Sequence, residues 1–534
     1  MGRFAATTGR RGLSRYDGRE SILITEARLD DSPHPRGTLS SDTAALWFLG
    51  LAFTGLHLVA GARYGFHPDE LLTYSNARDL EWGYVVYPPV TAMLARIELT
   101  LFGTSLIGFR FFAAIAGGLV AVLTGLMARA MGGGRQAVLV SAFAASIGGA
   151  VFFAGSFMSY MSFDLLWWVA GAWCIVRLLE TGNARWWLGV GAFVGTGLMT
   201  KYTMAFFAAA LLGAMLLTPN RRYLRSPWFW CGVTLALVIF APNLWWQYQH
   251  HFVSLAWMRS IHARDIGMGR TDNFLLNQLV ITNPGAVLLW LSGLWFLFMR
   301  PEGRRWRMLG WMYVLTLVFL MVARGRDYYL APAYPMLLSA GGAWAGNWLR
   351  SLPVQRQTGY LRAAWITLGI SGLVVASLLL PLVPVNSLWW RVQDATSHQL
   401  NMEIGWPELA ATIAHVRDSI PASDRAGLGV MAEDQSEVGA VNLYGRAYGL
   451  PRAISGMNSN WLRGYGDPPP QTVIAVGFKQ GELNRIFASC KVVAQLSNPY
   501  GVVNDILRDR DRVYICRNIR SPWAEFWKGF QYFG

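Results

Sequence analysis

Apolar stretches recur along most of the chain, near residues 44–62, 106–128, 137–155, 161–176, 186–200, 202–217, 228–246, 274–299, 308–323, 328–349 and 363–385. These about eleven spans predict an α-helical polytopic membrane bundle. Several fall short of the roughly 20 residues an isolated helix needs to cross a bilayer, so tilted helices around a protein-lined cavity are expected. The first polar connection, 63–105, is long and breaks at Pro88-Pro89. Its second half, 90–102, carries apolar residues at helical spacing around Arg96 and Glu98, as a helix lying in the interface would. From about residue 389 the pattern becomes that of a soluble α/β domain, with helical periodicity at 406–420 and short strands at 426–432, 472–478 and 512–516. The expected division is a polar tail at 1–43, a membrane part at 44–388 and a C-terminal domain at 389–534.

Composition strengthens this picture. The 534 residues are 53% hydrophobic and 14% charged, against about 25% charged in soluble proteins, which excludes one water-soluble globule. The net charge of +15 does not point to nucleic acid, because the basic residues punctuate apolar runs instead of gathering on a polar face. Arg129 and Arg135, Arg177 and Arg185, Arg221, Arg222 and Arg225, Arg300, Arg304, Arg305 and Arg307, then Arg350, Arg356 and Arg362 fill every second connection. Such alternation sets those loops on the cytoplasmic side. The tail, with Arg10, Arg11 and Arg15, joins them, and with no cleavable signal pattern the first span should serve as an uncleaved anchor. An odd number of spans then puts 389–534 outside. Four cysteines exclude a disulfide scaffold, although Cys490 and Cys516 could pair if their domain faces an oxidising compartment.

Candidate chemistry collects in the opposite, external connections. Asp69 and Glu70, in F-H-P-D-E-L-L-T-Y directly after the first span, are costly at the mouth of an apolar bundle unless solvated or paired. As functional groups, one would act as general base toward an acceptor while its neighbour orients it or binds a cation. A divalent cation could sit on that pair, though no complete ligand set is visible and no cofactor is otherwise indicated. Asp164, at the outer start of the fourth span, is either a second acid of the same cavity or a helix N-cap or first-turn acid favoured by the helix dipole. Lys201 is the only lysine before Lys479. Its ammonium can hold a phosphate, or it can snorkel to the interface. Arg324 and Arg326 break the arginine rule on that same outer side and suggest an anionic ligand, unless they pair locally with Asp327. Asn243 and Gln247 add neutral polar groups there.

The segments H-P-D-E-L-L-T-Y, Y-P-P-V, S-F-D, G-L-M-T-K-Y-T, A-P-N-L-W-W-Q-Y-Q-H-H-F-V-S and R-D-Y-Y-L-A-P-A-Y-P, with V-G-A-V-N-L-Y-G and A-I-S-G-M-N-S-N-W later, resemble in order and spacing the GT-C glycosyltransferases related to protein O-mannosyltransferases and lipid A aminoarabinose transferases. The resemblance covers nearly the whole chain from about Phe66. It implies a polyprenyl-phosphate sugar donor, inverting transfer outside the cytoplasm to a lipid, glycan or protein acceptor, and residence in a bacterial inner membrane. By position it makes Asp69 the acid–base residue, Glu70 its neighbour and Asp164 the second acid. Lys201 and Tyr202 match a lysine–tyrosine pair, and His67, Tyr87, Asn243, Arg324 and Arg326 join them as substrate-binding candidates. The chain departs from the pattern at Ser162-Phe163, where relatives often have Thr-Pro. Tyr87 stands where the aminoarabinose transferases carry lysine, and Met457 where many relatives of this branch have histidine. The alternative class is a transporter or lipid flippase with a charged cavity. Against it, the acids cluster at one surface and no second copy of H-P-D-E occurs.

Overall fold

The computed structural model describes residues 41–397 and 399–534, so the expected tail, including Arg10, Arg11 and Arg15, lies almost wholly outside the described residues. Among the described residues six helices are long and apolar enough to cross a membrane: Ser41–Ala60, Phe111–Ala130, Tyr160–Thr181, Pro227–Gln249, Glu302–Val322 and Val354–Leu379. Counting each of three bent helix pairs as one span raises the number to nine. The chain is an integral membrane protein.

Of the about eleven expected runs, nine coincide with these helices or bent pairs, and the other two form shorter helices, Trp186–Leu198 and Tyr334–Arg350; hydropathy also does not register the breaks inside two of the runs. The 137–155 run bends by 63° between Arg135–Ser146 and Gly149–Ser156, and the 274–299 run bends by 90° after Phe274–Thr282. At the second break Asn283 adopts a φ of 72° and Pro284, lacking an N–H, starts the next turn. The 90–102 segment of the first loop is a helix, Val90–Phe102.

After Leu388–Thr396 the chain builds a five-stranded sheet from β1 (Leu428–Ala432), β2 (Ala453–Ile454), β3 (Thr472–Val476), β4 (Phe487–Gln495) and β5 (Arg512–Ile519), in the order β2-β1-β3-β5-β4. The β2-β1-β3 half is parallel, and β5 and β4 run antiparallel to their neighbours. The helix Trp406–Ser419 matches the periodicity at 406–420. Cys490 and Cys516 face each other across β4 and β5 and form a disulfide.

The helix Gln435–Tyr444 packs on Pro68–Arg78, the helix that opens with Asp69. Gly439 makes this close approach possible, since a Cβ there would lie 2.4 Å from the Leu71 carbonyl oxygen. The first loop and the C-terminal part thus share one packed seam.

Candidate functional site

Pro68 occupies the first turn of the Pro68–Arg78 helix, where its missing N–H costs nothing, and His67 is the N-cap. His67 Nδ1 accepts the Asp69 amide at 3.2 Å, while Glu70 Oε2 accepts the His67 amide at 2.8 Å. This reciprocal cap fixes the backbone on which Asp69 sits. The Asp69 carboxylate is half-buried at the positive end of the helix, and among the described residues it has no hydrogen-bond or ion-pair partner.

Glu70 is different. Its Oε1 accepts Arg110 Nε at 2.9 Å and the Met158 amide at 3.0 Å, and its Oε2 accepts Arg110 Nη2 at 2.6 Å as well as the His67 amide. Both oxygens are occupied and the side chain is fully buried. Glu70, expected beside Asp69 as a catalytic group or cation ligand, is here a buried strut with all its acceptor sites toward Arg110, His67 and Met158 in use. His67 is likewise committed, stacked on Phe157 with centroids 4.2 Å apart and bonded to Gln399 at 3.1 Å. Among the described residues no three of His, Cys, Asp and Glu gather as a metal site.

Lys201 lies in the break between Trp186–Leu198 and Met204–Leu216. It is only 5% exposed, yet one N–H alone finds an acceptor among the described residues, the Val86 carbonyl at 3.2 Å. The ammonium rests over the Tyr160 ring at 3.9 Å and near Trp257 at 5.1 Å. The charges acting on it are those of Asp164, Arg326 and Asp69. Asp164 Oδ2 accepts Thr203 Oγ1 at 2.9 Å, and its buried Oδ1 has no partner. Ser159 caps that helix, so Asp164 is not a capping acid.

Arg326 and Arg324 part company. Arg326 grips Asp265 through Nε at 2.6 Å and Nη2 at 3.0 Å and donates from Nη1 to the Tyr328 hydroxyl at 2.9 Å. Its partner is Asp265, not the adjacent Asp327. Arg324 has a φ of 47°, is exposed, and its side chain makes no hydrogen bond or ion pair among the described residues. The structure does not bring Arg324 into the site.

Tyr202, Asn243 and Tyr87 hold the site's roof. The Tyr202 hydroxyl donates to Asn243 Oδ1 at 3.1 Å and accepts from Gln247 at 2.8 Å, and Asn243 Nδ2 donates to the Trp82 carbonyl at 2.9 Å. Gly83 lies so close to Trp246 that a Cβ would stand 2.4 Å from its ring. The Tyr87 hydroxyl accepts from Asn76 at 2.9 Å and donates to Thr73 at 3.2 Å, so it braces the Asp69 helix. From the C-terminal part comes Asp434, whose carboxyl burial pushes up, with Asp69 among the charges acting on it.

Sequence reasoning missed Tyr160, Trp257, Asp265, Asp434 and Arg110. Only Arg110 left a signal, as the one arginine inside an expected apolar run, 106–128.

Comparison with known proteins follows the same lines. A family model for dolichyl-phosphate-mannose-protein mannosyltransferases matches residues 86–246. The lipid A galacturonosyltransferase RgtD of Rhizobium johnstonii is 25% identical over 339 residues, covering 60% of this chain. The chain spans 66% of that relative, just under two thirds of its length. The fold is similar to that of ArnT from Cupriavidus metallidurans, with TM-score 0.53 and 16% identity to the crystal structure bound to undecaprenyl phosphate, over 91% of this chain and 99% of that one. Against the apo crystal structure the TM-score is 0.55 at 17% identity, over 89% and 98% of the two chains.

Proposed function

We propose that the chain is a GT-C-type integral membrane glycosyltransferase moving a sugar from a polyprenyl-phosphate donor to a lipid, glycan or protein acceptor. The observation that supports this most is the pairing of an open carboxylate, Asp69, with a buried ammonium, Lys201, that has donors to spare. A proton acceptor and an unfilled anion site within electrostatic reach are what transfer from a lipid phosphate requires.

In the proposed step Asp69 takes the acceptor proton as the acceptor attacks the anomeric carbon. The bond from that carbon to the phosphate oxygen breaks on the opposite face, so the configuration inverts. Lys201 contacts the departing phosphate. Arg326, already bound to Asp265 and Tyr328, contributes its field more than a new contact. Asp164, bonded to Thr203, offsets the charge of Lys201 before donor arrives. Turnover of a labelled polyprenyl-phosphate sugar by the purified protein tests the reading, and its failure with every acceptor class would sink it.

Lys201→Met keeps most of the apolar stem and removes the charge. Loss of a charge-assisted contact worth about 1.5–3 kcal/mol predicts donor binding or single-turnover rate lower by an order of magnitude or more. A fall in rate at unchanged affinity would mean that the ammonium acts on the leaving phosphate alone. If neither quantity moves, Lys201 is a structural cation held by the Val86 carbonyl and the Tyr160 ring.

The reading also places Asp69, Lys201 and the sheet outside the cytoplasm of a bacterial inner membrane. The Cys490–Cys516 bond supports it, because disulfides persist in oxidising compartments. Single cysteines at 300–307 are expected to resist impermeant reagents in intact cells, and external labelling there would reverse the arrangement.

A further inference from the structure

Arg78 follows Asp69 by nine residues on the same helix. At about 100° and about 1.5 Å per residue it leaves from the opposite side, roughly 13 Å further along. There it borders two open hollows, which adjoin through Arg78 and Arg446. Asp79 and Arg452 rim one, and Arg96 and Thr100 the other. Arg78, Arg96 and Arg446 are all exposed, and none has a carboxylate partner among the described residues. Arg78 reaches the Tyr74 hydroxyl at 3.5 Å, Arg96 the Ala77 carbonyl at 3.3 Å, and the Arg446 side chain makes no hydrogen bond there. Asp79, the carboxylate on the rim, is held by Arg452 and Arg463. Unneutralised guanidiniums converging on one hollow suit a phosphate, which arginine binds through its planar fork.

A second observation decides what carries the phosphate. On the Val90–Phe102 helix Arg96 and Thr100 are one turn apart and face the hollow. One step round the same helix, Ile97 and Leu101 form an outward apolar row, 46% and 62% exposed. A phosphate site bordered by an apolar helix face matches a molecule with a charged head and hydrocarbon chains.

We infer that this cleft binds the phosphate of an anionic membrane lipid, with Arg78, Arg96 and Arg446 on the headgroup and Ile97 and Leu101 against its chains. The site stands apart from the transfer chemistry proposed above, on the far side of the Asp69 helix.

Native mass spectrometry of the full-length protein, taken from bilayers of equal phosphatidylglycerol and phosphatidylcholine, tests the inference without reference to catalysis. The wild-type chain is expected to retain phosphatidylglycerol preferentially. Arg78→Gln with Arg446→Gln should lower that enrichment about tenfold, whereas Lys at both positions should keep part of it. Neither guanidinium has an ion-pair partner, so thermal unfolding of the Gln variant should match wild type. If the double variant unfolds, Arg446→Gln alone carries the test, since that side chain touches no polar partner. Equal retention of the two lipids by wild type, undiminished enrichment in the Gln variants, or displacement of the lipid by millimolar inorganic phosphate would overturn the assignment.

Discussion

Asp69→Asn is expected to lower transfer by about 10²–10⁴-fold, the usual cost of removing a general base, in a protein that still inserts and folds. The amide keeps the shape of the carboxyl but cannot take the acceptor proton. Structure makes this a clean comparison, because the Asp69 carboxylate holds no other group in place among the described residues. What the fold loses is one favourable charge at a helix N-terminus, worth about 0.3–1 kcal/mol. Turnover and thermal unfolding measured on the same preparation separate the two effects. Near-normal turnover would remove Asp69 from the chemistry, and a collapse in unfolding temperature would show that it is structural.

The same test on Glu70 should give the opposite pattern. Glu70 accepts four hydrogen bonds, from Arg110 twice and from the His67 and Met158 amides. A glutamine has one oxygen for those donors and turns its own N–H groups against the rest. Two carboxylates adjacent in sequence therefore have different work, one open toward the site and one built into the frame beneath it.

That distinction marks where the sequence stops being legible. Asp69 and Glu70 look alike as letters, and only Arg110, forty residues on, separates them. The order of apolar runs, the helix at 90–102 and the helix at 406–420 follow from periodicity and survive in the fold. Spans 137–155 and 274–299 do not survive as single helices, since hydropathy averages over a break at Gly148 or Asn283-Pro284. β4 was not among the expected strands although Ala488, Cys490, Val492 and Ala494 alternate with Ser489, Lys491 and Gln495; its alternating residues are small or only partly apolar, and it lies on an exposed sheet edge. Loop topology sets Asp164, Arg326, Asp69 and Lys201 on one side of the bundle, and in the fold the charges of the first three act on Lys201. The aromatic walls from Tyr160 and Trp257 could not be anticipated, because tryptophan and tyrosine are common throughout this chain.

Arg110→Met is expected to destabilise the protein by about 3–5 kcal/mol, the cost of leaving a buried charge without its partner. Arg110 is 2% exposed and ties together three parts of the chain. It donates to the Gly61 carbonyl at 2.8 Å at the end of the first span, to the Gly65 carbonyl at 2.9 Å, and to Glu70 under the Asp69 helix. It also lies 3.6 Å from Glu403. Removing it strands two buried carboxylates near each other. Burial already pushes Glu403 up to about 7, with Arg110 pulling down and Glu70 pushing up. Without Arg110 that value rises further, so folded Glu403 binds a proton that the unfolded chain, near its ordinary value, does not. More protons bound in the folded state means stability that grows as pH falls through the folded pKa. The deficit of Arg110→Met relative to wild type should accordingly shrink between about pH 8 and about pH 6. Thermal unfolding of purified protein across that range measures it. Arg110→Met with Glu70→Gln, which removes both members of the pair, should recover part of the loss and flatten the pH dependence. An unfolding temperature unchanged in Arg110→Met, or a deficit that widens on acidification, would mean that the Glu70–Arg110 pair does not bear on the stability of the frame holding Asp69.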